Sequence, residues 1–201
     1  MSVSPVTRPS LLVRIRDPND TDAWRQFVDL YSSVIYGFAR RRGLQDADAA
    51  DLMQDVLRSV SNHAGRLEYD PKKGSFRGWL FTIARNKMLN FLNGAAQRTR
   101  GSGDSGVAEM LTQRSAPEQE AEEWDREYEG RLFSMAAERV KGEFKDTTWK
   151  AFWMTGVEGK DAKEAGAELK MSPGAVYVAK SRVLARLKEE VADLQKAAAL
   201  E

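Results

Sequence analysis

The chain contains no cysteine and only one histidine, His63, among its 201 residues. The missing cysteine excludes disulfides, thiolate metal sites and a cysteine nucleophile, and it fits a reducing compartment. A single histidine excludes histidine-rich zinc sites and argues against a Ser–His–Asp hydrolase. No run of 18 apolar residues occurs, so no segment is expected to cross a membrane as a helix. The N-terminus lacks the apolar core of a signal peptide, which makes the cytoplasm the expected location. An excess of one charge is also lacking: 31 basic and 30 acidic residues leave a formal net charge of +1. That sum argues at first against a nucleic-acid partner. It conceals a gradient, because residues 1–100 carry 16 basic and 10 acidic side chains whereas residues 101–201 carry 15 and 20. Charge asymmetry between halves is informative where the total is not.

Hydrophobic residues at 42% suffice for a packed core, and the length allows one domain or two small ones. The stretch 94–117 is rich in Gly, Ser, Ala and Gln and reads as a flexible linker. On its N-terminal side, Trp24, Phe27, Leu30, Tyr31, Val34, Ile35 and Phe38 keep the 3-4 spacing of one buried helix face. Asp20 or Thr21 is the expected cap, and Gly43 the stop. A second helix, capped by Asp46 or Asp48, carries the apolar stripe Ala49, Leu52, Met53, Val56, Leu57 and Val60. A third, capped by Ser75, is expected from Phe76 to about Asn93. Beyond the linker, helices are expected up to Gly142, after Asp146, from Asp161 to Leu169 and from Pro173 onward, the last with Ser172 as its cap. No segment alternates with period two. The expected fold is all-α, with two small helical domains joined by a linker. The boundaries are a flexible N-terminus at 1–10, domains at 11–95 and 120–195, a linker at 96–119 and a tail at 196–201, whose last residues read as an expression-vector remnant.

Three patterns carry chemistry. The stretch 71–103 holds seven basic residues and no acid. Within it, Trp79, Thr82, Asn86, Asn90 and Asn93 fall in one sector of a helix. An aromatic beside amides, flanked by Arg and Lys, suits unstacked bases: the ring stacks, the amides read base edges and the cations hold the backbone. The alternative is a core tryptophan with solvated asparagines. Second, two helices joined by Lys170-Met171-Ser172 have helix-turn-helix spacing. The small residues Ala165, Gly166 and Ala167 allow close backbone approach. The second helix would present Gly174, Ala175, Tyr177, Val178 and Ser181 to a major groove, with Lys180, Arg182 and Arg186 near phosphates. A plain helical hairpin with a basic face is the competing reading. Third, Asp48, Asp51 and Asp55 recur on one helix face beside Gln54 and Arg58. They suit a divalent cation, a solvated helix start, or a docking surface for a basic partner.

Together, Asp48-Ala-Ala-Asp51-Leu-Met-Gln54-Asp55-Val56, Gly74-Ser-Phe76-Arg77-Gly-Trp79-Leu-Phe-Thr-Ile83-Ala-Arg85-Asn86-Lys-Met-Leu-Asn90 and the helix-turn-helix resemble a bacterial RNA polymerase sigma factor. The two-domain length resembles the extracytoplasmic-function (ECF) group of the sigma-70 family, which keeps regions 2 and 4. The resemblance implies a non-enzymatic protein without cofactor or metal that binds core RNA polymerase, recognises the −10 and −35 promoter elements and assists promoter melting. Asp48, Asp51, Gln54, Asp55 and Arg58 match the segment that docks on the β′ clamp helices. Tyr69, Lys72, Lys73, Arg77, Trp79, Arg85, Asn86, Lys87 and Asn90 match the part that meets the −10 element, with Asn86 at a base-contacting position. Ser172, Gly174, Ala175, Tyr177, Val178, Lys180, Ser181, Arg182 and Arg186 match the −35 reader, in a domain that meets the β flap. An anti-sigma protein is a further candidate partner. The sequence departs from the family where Lys170 replaces a turn glycine, and must then take a less favourable conformation. The rival readings are a duplex-DNA regulator independent of polymerase and a metal-dependent nuclease built on Asp48, Asp51 and Asp55.

Overall fold

The computed structural model describes residues 11–65, 76–99 and 117–198, all of it helices and their connections with no strand among the described residues. The expected N-terminus, most of the expected linker and the loop holding Tyr69, Lys72 and Lys73 lie outside the described residues. Contacts divide the chain into a unit at Met1–Arg131 and a second at Leu132–Ala199.

The first unit begins with a single turn, α1 (Leu11–Arg14), and then α2 (Thr21–Arg41). Asp20 caps α2, its Oδ1 accepting from the Ala23 N–H at 2.8 Å, and Arg14 grips the same carboxylate with two 2.8 Å bonds. This hydrogen bonding holds the Asp20 pKa below its ordinary value. The expected stripe is buried except for half-buried Trp24: Phe27, Val34, Ile35 and Phe38 are at most 1% exposed. At roughly 1.5–3 kcal/mol per large apolar side chain, that face alone accounts for the helix's seating. Gly43 ends it at φ +82°, a conformation that favours glycine. In α3 (Asp46–Ala64), Ala49, Leu52, Val56, Val60 and Ala64 face inward. Gln45, not an aspartate, occupies its N-cap position. Asp46 and Asp48 instead sit in the first turn, where the helix dipole favours carboxylates. The third long helix, α4 (Phe76–Thr99), outruns its expected end at residue 93. It buries Phe76, Leu80, Ala84, Met88 and Leu92 at a stride of four.

Helix α5 (Pro117–Val140) contributes residues 117–131 to this unit. Its acids were expected to lead the second domain, yet Trp124 is 1% exposed, with its ring 5.5 Å from Phe38 and 5.8 Å from Phe81. Tyr128 stacks on Tyr31 at 5.7 Å. Burial raises the pKa of both phenols.

In the second unit, α6 (Asp146–Phe152) runs into a π turn at Trp153–Val157 and is followed by α7 (Ala162–Leu169) and α8 (Pro173–Ala198). Asp146, expected as a cap, is the first helical residue after Lys145. Asp161 caps α7 as expected, accepting from Lys163 N–H at 2.7 Å. The core is built of Ala151, Met154, Ala162, Ala165, Val176 and Ala179, with Leu169 and Met171 against it. Small side chains at these positions let three helices cross closely.

Candidate nucleic-acid interface

The turn between α7 and α8 takes the conformation that the sequence makes costly. Lys170 is left-handed at φ 55°, ψ 43°, and Met171 N–H donates to Gly166 C=O at 2.8 Å. That return brings the Met171 carbonyl to within 2.6 Å of where a Cβ on Gly166 would stand, so only glycine fits. Ser172 caps α8, its hydroxyl accepting from Ala175 N–H at 3.2 Å. Beyond this turn Gly174, Tyr177, Val178, Ser181 and Arg182 are exposed, while Ala175 is half-buried. Tyr177 and Val178 are 61% and 59% exposed at adjacent positions.

Two of the cations assigned to phosphates are engaged. Lys180 donates to the Thr155 carbonyl at 3.0 Å, an acceptor presented by the π turn. Arg186 forks onto Glu143 at 2.8 and 2.9 Å and reaches Glu190 at 3.1 Å, which raises its pKa. Both would have to exchange these partners to reach DNA, whereas exposed Arg182 would not.

On α4, Gly78, Thr82, Asn86, Asn90 and Asn93 form the exposed stripe, opposite the buried stride of four. Trp79 is half-buried against Phe76, their rings 5.2 Å apart, so it borders the polar stripe rather than standing within it. Lys87 is half-exposed. Arg77 and Arg85 turn to the opposite flank. Arg85 pairs with buried Glu120, and Arg77 lies 4.8 Å over the Tyr128 ring with its Nε 3.1 Å from Asp125 Oδ1. That last contact is one of charge rather than an aligned hydrogen bond, since the same Nε has no hydrogen-bond partner among the described residues. The arrangement separates the amides that can read bases from two of the cations expected beside them.

On α3, Asp51, Gln54, Asp55 and Arg58 are exposed and Asp48 is half-buried. Asp55 pairs with Arg58 at 2.8 Å. Among the described residues no three Asp, Glu or His groups converge on a point that would hold a metal. This face is a row of hydrogen-bonding and charged groups, mostly exposed.

Residues 27–98 match the family model of sigma-70 region 2. Over this segment the chain is similar to the sigma-70 family. The ECF RNA polymerase sigma factor RpoE of Cereibacter sphaeroides is 31% identical over 83 residues, covering 41% of this chain and 45% of that protein. The ECF RNA polymerase sigma factor SigK of Mycobacterium sp. strain KMS is 30% identical over 100 residues, covering 48% and 51%. The chain thus matches about half the length of these curated relatives. A solved structure of CnrH in complex with the cytosolic domain of CnrY aligns over 91% of this chain and 96% of that one, at 21% identity and a TM-score of 0.34. At that score the superposition locates no element. The region 2 match contains the acidic face of α3 and the whole asparagine stripe of α4.

The acidic partners of Arg77 and Arg85 escaped the sequence reading. Their signal was present: Glu120, Trp124, Tyr128, Leu132, Ala136 and Val140 recur at every fourth position, one buried line concealed in an acidic stretch. No helix among the described residues is long and apolar enough to cross a membrane.

Proposed function

We propose that this chain acts as an ECF-type sigma factor, binding core RNA polymerase and directing it to promoters through two DNA-facing helices. The observation that carries the reading is the exposed Thr82, Asn86, Asn90, Asn93 stripe on α4, inside the segment that matches region 2. Exposed asparagine amides are suited to base edges, and Trp79 beside them is suited to an unstacked base. Flipping a base costs a few kcal/mol, which a pocket and the polymerase's own contacts offset. Tyr69, Lys72 and Lys73 belong to this site in the proposal. On α8, Tyr177, Val178, Ser181 and Arg182 read the −35 element, with Ser172, Gly174 and Ala175 forming the helix start that approaches the groove. The row Asp48, Asp51, Gln54, Asp55 and Arg58 docks on the polymerase. The chain itself performs no bond-making step and needs no cofactor.

The test separates docking from opening. Purified chain is titrated into core polymerase, and the resulting holoenzyme is assayed for promoter opening with a fluorescent base at the −10 element. Asp51→Ala should weaken core association, and Asn86→Ala should reduce opening while leaving association intact. Equal loss of both by Asn86→Ala would contradict the role given to α4. Failure of the wild type to bind core, with duplex DNA still bound, would favour a polymerase-independent regulator.

A further inference from the structure

Four carboxylates of α5 lie on four arginines of the first unit. Glu120, 3% exposed, pairs with Arg85 and stands 3.6 Å from Arg42 Nε. Glu123 Oε2 lies 3.1 Å from Arg42 Nη2, Glu127 pairs with Arg41, and Asp125 Oδ1 lies 3.1 Å from Arg77 Nε. Between these acids, buried Trp124 and Tyr128 hold the helix on Phe38, Phe81 and Tyr31. Apolar contact therefore seats the helix, and the charges ride on that seat.

Stability does not require this matching of charge. Exposed ion pairs contribute little, and buried pairs roughly break even against apolar replacements. The electrostatic consequence is larger. Each arginine is compensated within 4 Å, so at distances beyond about 10 Å in 0.1 M salt the cluster exerts little pull on phosphate. Arg77 and Arg85 belong to α4, the helix that carries the asparagine stripe.

We propose that the acidic face of α5 is an internal mask that neutralises the arginine flank of the first unit and lowers the affinity of the free chain for nucleic acid. The inference rests on the reading of α4 as a DNA-contacting helix. The mask works in place: the helix need not leave its seat, because its carboxylates act as fixed counter-anions. Arg41 and Arg77 are the cations it holds in reserve, with side chains 52% and 37% exposed, whereas Arg42 at 12% and Arg85 at 25% are structural partners of the buried Glu120.

The full chain tests this as the double variant Asp125→Asn, Glu127→Gln. The control is Glu122→Gln, Glu129→Gln, which removes the same charge from exposed positions of the same helix. Binding to a fluorescein-labelled single-stranded oligonucleotide is followed by anisotropy from 50 to 200 mM salt. With two arginines freed, log affinity should fall more steeply with log salt by about 1.4, so that the variant's affinity relative to wild type should rise about sevenfold between 200 and 50 mM salt. The control should keep the wild-type slope. Equal effects of the two double variants, or no steepening in the first, would overturn the mask. Near-ultraviolet circular dichroism checks that Trp124 stays seated; if the double variant unfolds, Asp125→Asn alone should steepen the slope by about 0.7, and an unchanged slope there overturns the mask equally. Core association, measured on the same preparations, reports on the sigma-factor reading separately.

Discussion

Replacing Gly166 by alanine tests the account of the helix-turn-helix at one atom. A Cβ there would stand 2.6 Å from the Met171 carbonyl oxygen and 3.6 Å from Val176 Cγ2. The near obstacle is main chain, and that stretch is pinned. Met171 N–H is bonded to Gly166 C=O, Lys170 is already left-handed, and Ser172 caps the next helix. Carbon and oxygen pack comfortably at about 3.5 Å, so the turn would have to shift by nearly 1 Å, and forced overpacking of this kind costs about 1–3 kcal/mol. Because the obstacle cannot rotate away, the upper end applies. Alanine's better helix propensity returns about 1 kcal/mol, leaving a net loss of about 2 kcal/mol. For a unit of this size each kcal/mol moves the midpoint by about 4–8 °C. Calorimetry should therefore show the second unit's transition about 8–16 °C lower. Gly174→Ala is the comparison, since its added Cβ meets no described atom within 4 Å, and it should melt at or a few degrees above the wild type through its better helix propensity. Equal melting of the two variants would refute the close approach on which the crossing of α7 and α8 depends.

Three further outcomes follow from the same geometry. Lys170→Gly should stabilise the second unit by about 0.5–1 kcal/mol in a urea titration, the relief of a left-handed side chain less the entropy of glycine; a lower midpoint would contradict the assigned strain. Trp124→Ala should cost the first unit about 3–5 kcal/mol. Trp124→Phe should cost far less, because the indole N–H has no hydrogen-bond partner among the described residues, and equal losses would show that the ring is not core. Hydrogen bonding to Arg14 and Arg139 lowers the pKa of Asp20 and Glu190 from ordinary values of 3.8 and 4.5. Their stabilisation is present above those values and is lost as pH falls through the depressed native pKa. The denaturant midpoint should be level near neutrality and fall below about pH 4; a midpoint that rises on acidification would contradict both pairings.

Much of this was legible because it is local. The α2 stripe from Phe27 to Phe38, the Asp161 and Ser172 caps and the strained Lys170 each depend on residues within a turn or two. The exposure of Asn86 and Asn90 followed from helical period alone. What the sequence did not disclose is pairing over distance. Arg85 and Glu120 are 35 residues apart, Arg186 and Glu143 are 43 apart, and composition assigns such cations to solvent. The stride of four through Trp124 and Tyr128 marks a buried face in α5, but it does not say which cations the acids beside it meet, because those stand on α2 and α4. The continuation of α4 to Thr99 has a similar origin, since residues 94–97, Gly-Ala-Ala-Gln, read equally well as linker and as helix.

The central claim is that this chain directs polymerase to promoters. Run-off transcription with purified core polymerase and fragmented genomic template, with and without the chain, tests it most directly when the 5′ ends of the products are sequenced. The account predicts transcripts that appear only with the chain, start at defined positions and share upstream −10 and −35 sequences. They should be lost with Asn86→Ala even though the holoenzyme still forms. Transcription from core that is unchanged by the chain, under conditions where the two associate, would contradict it.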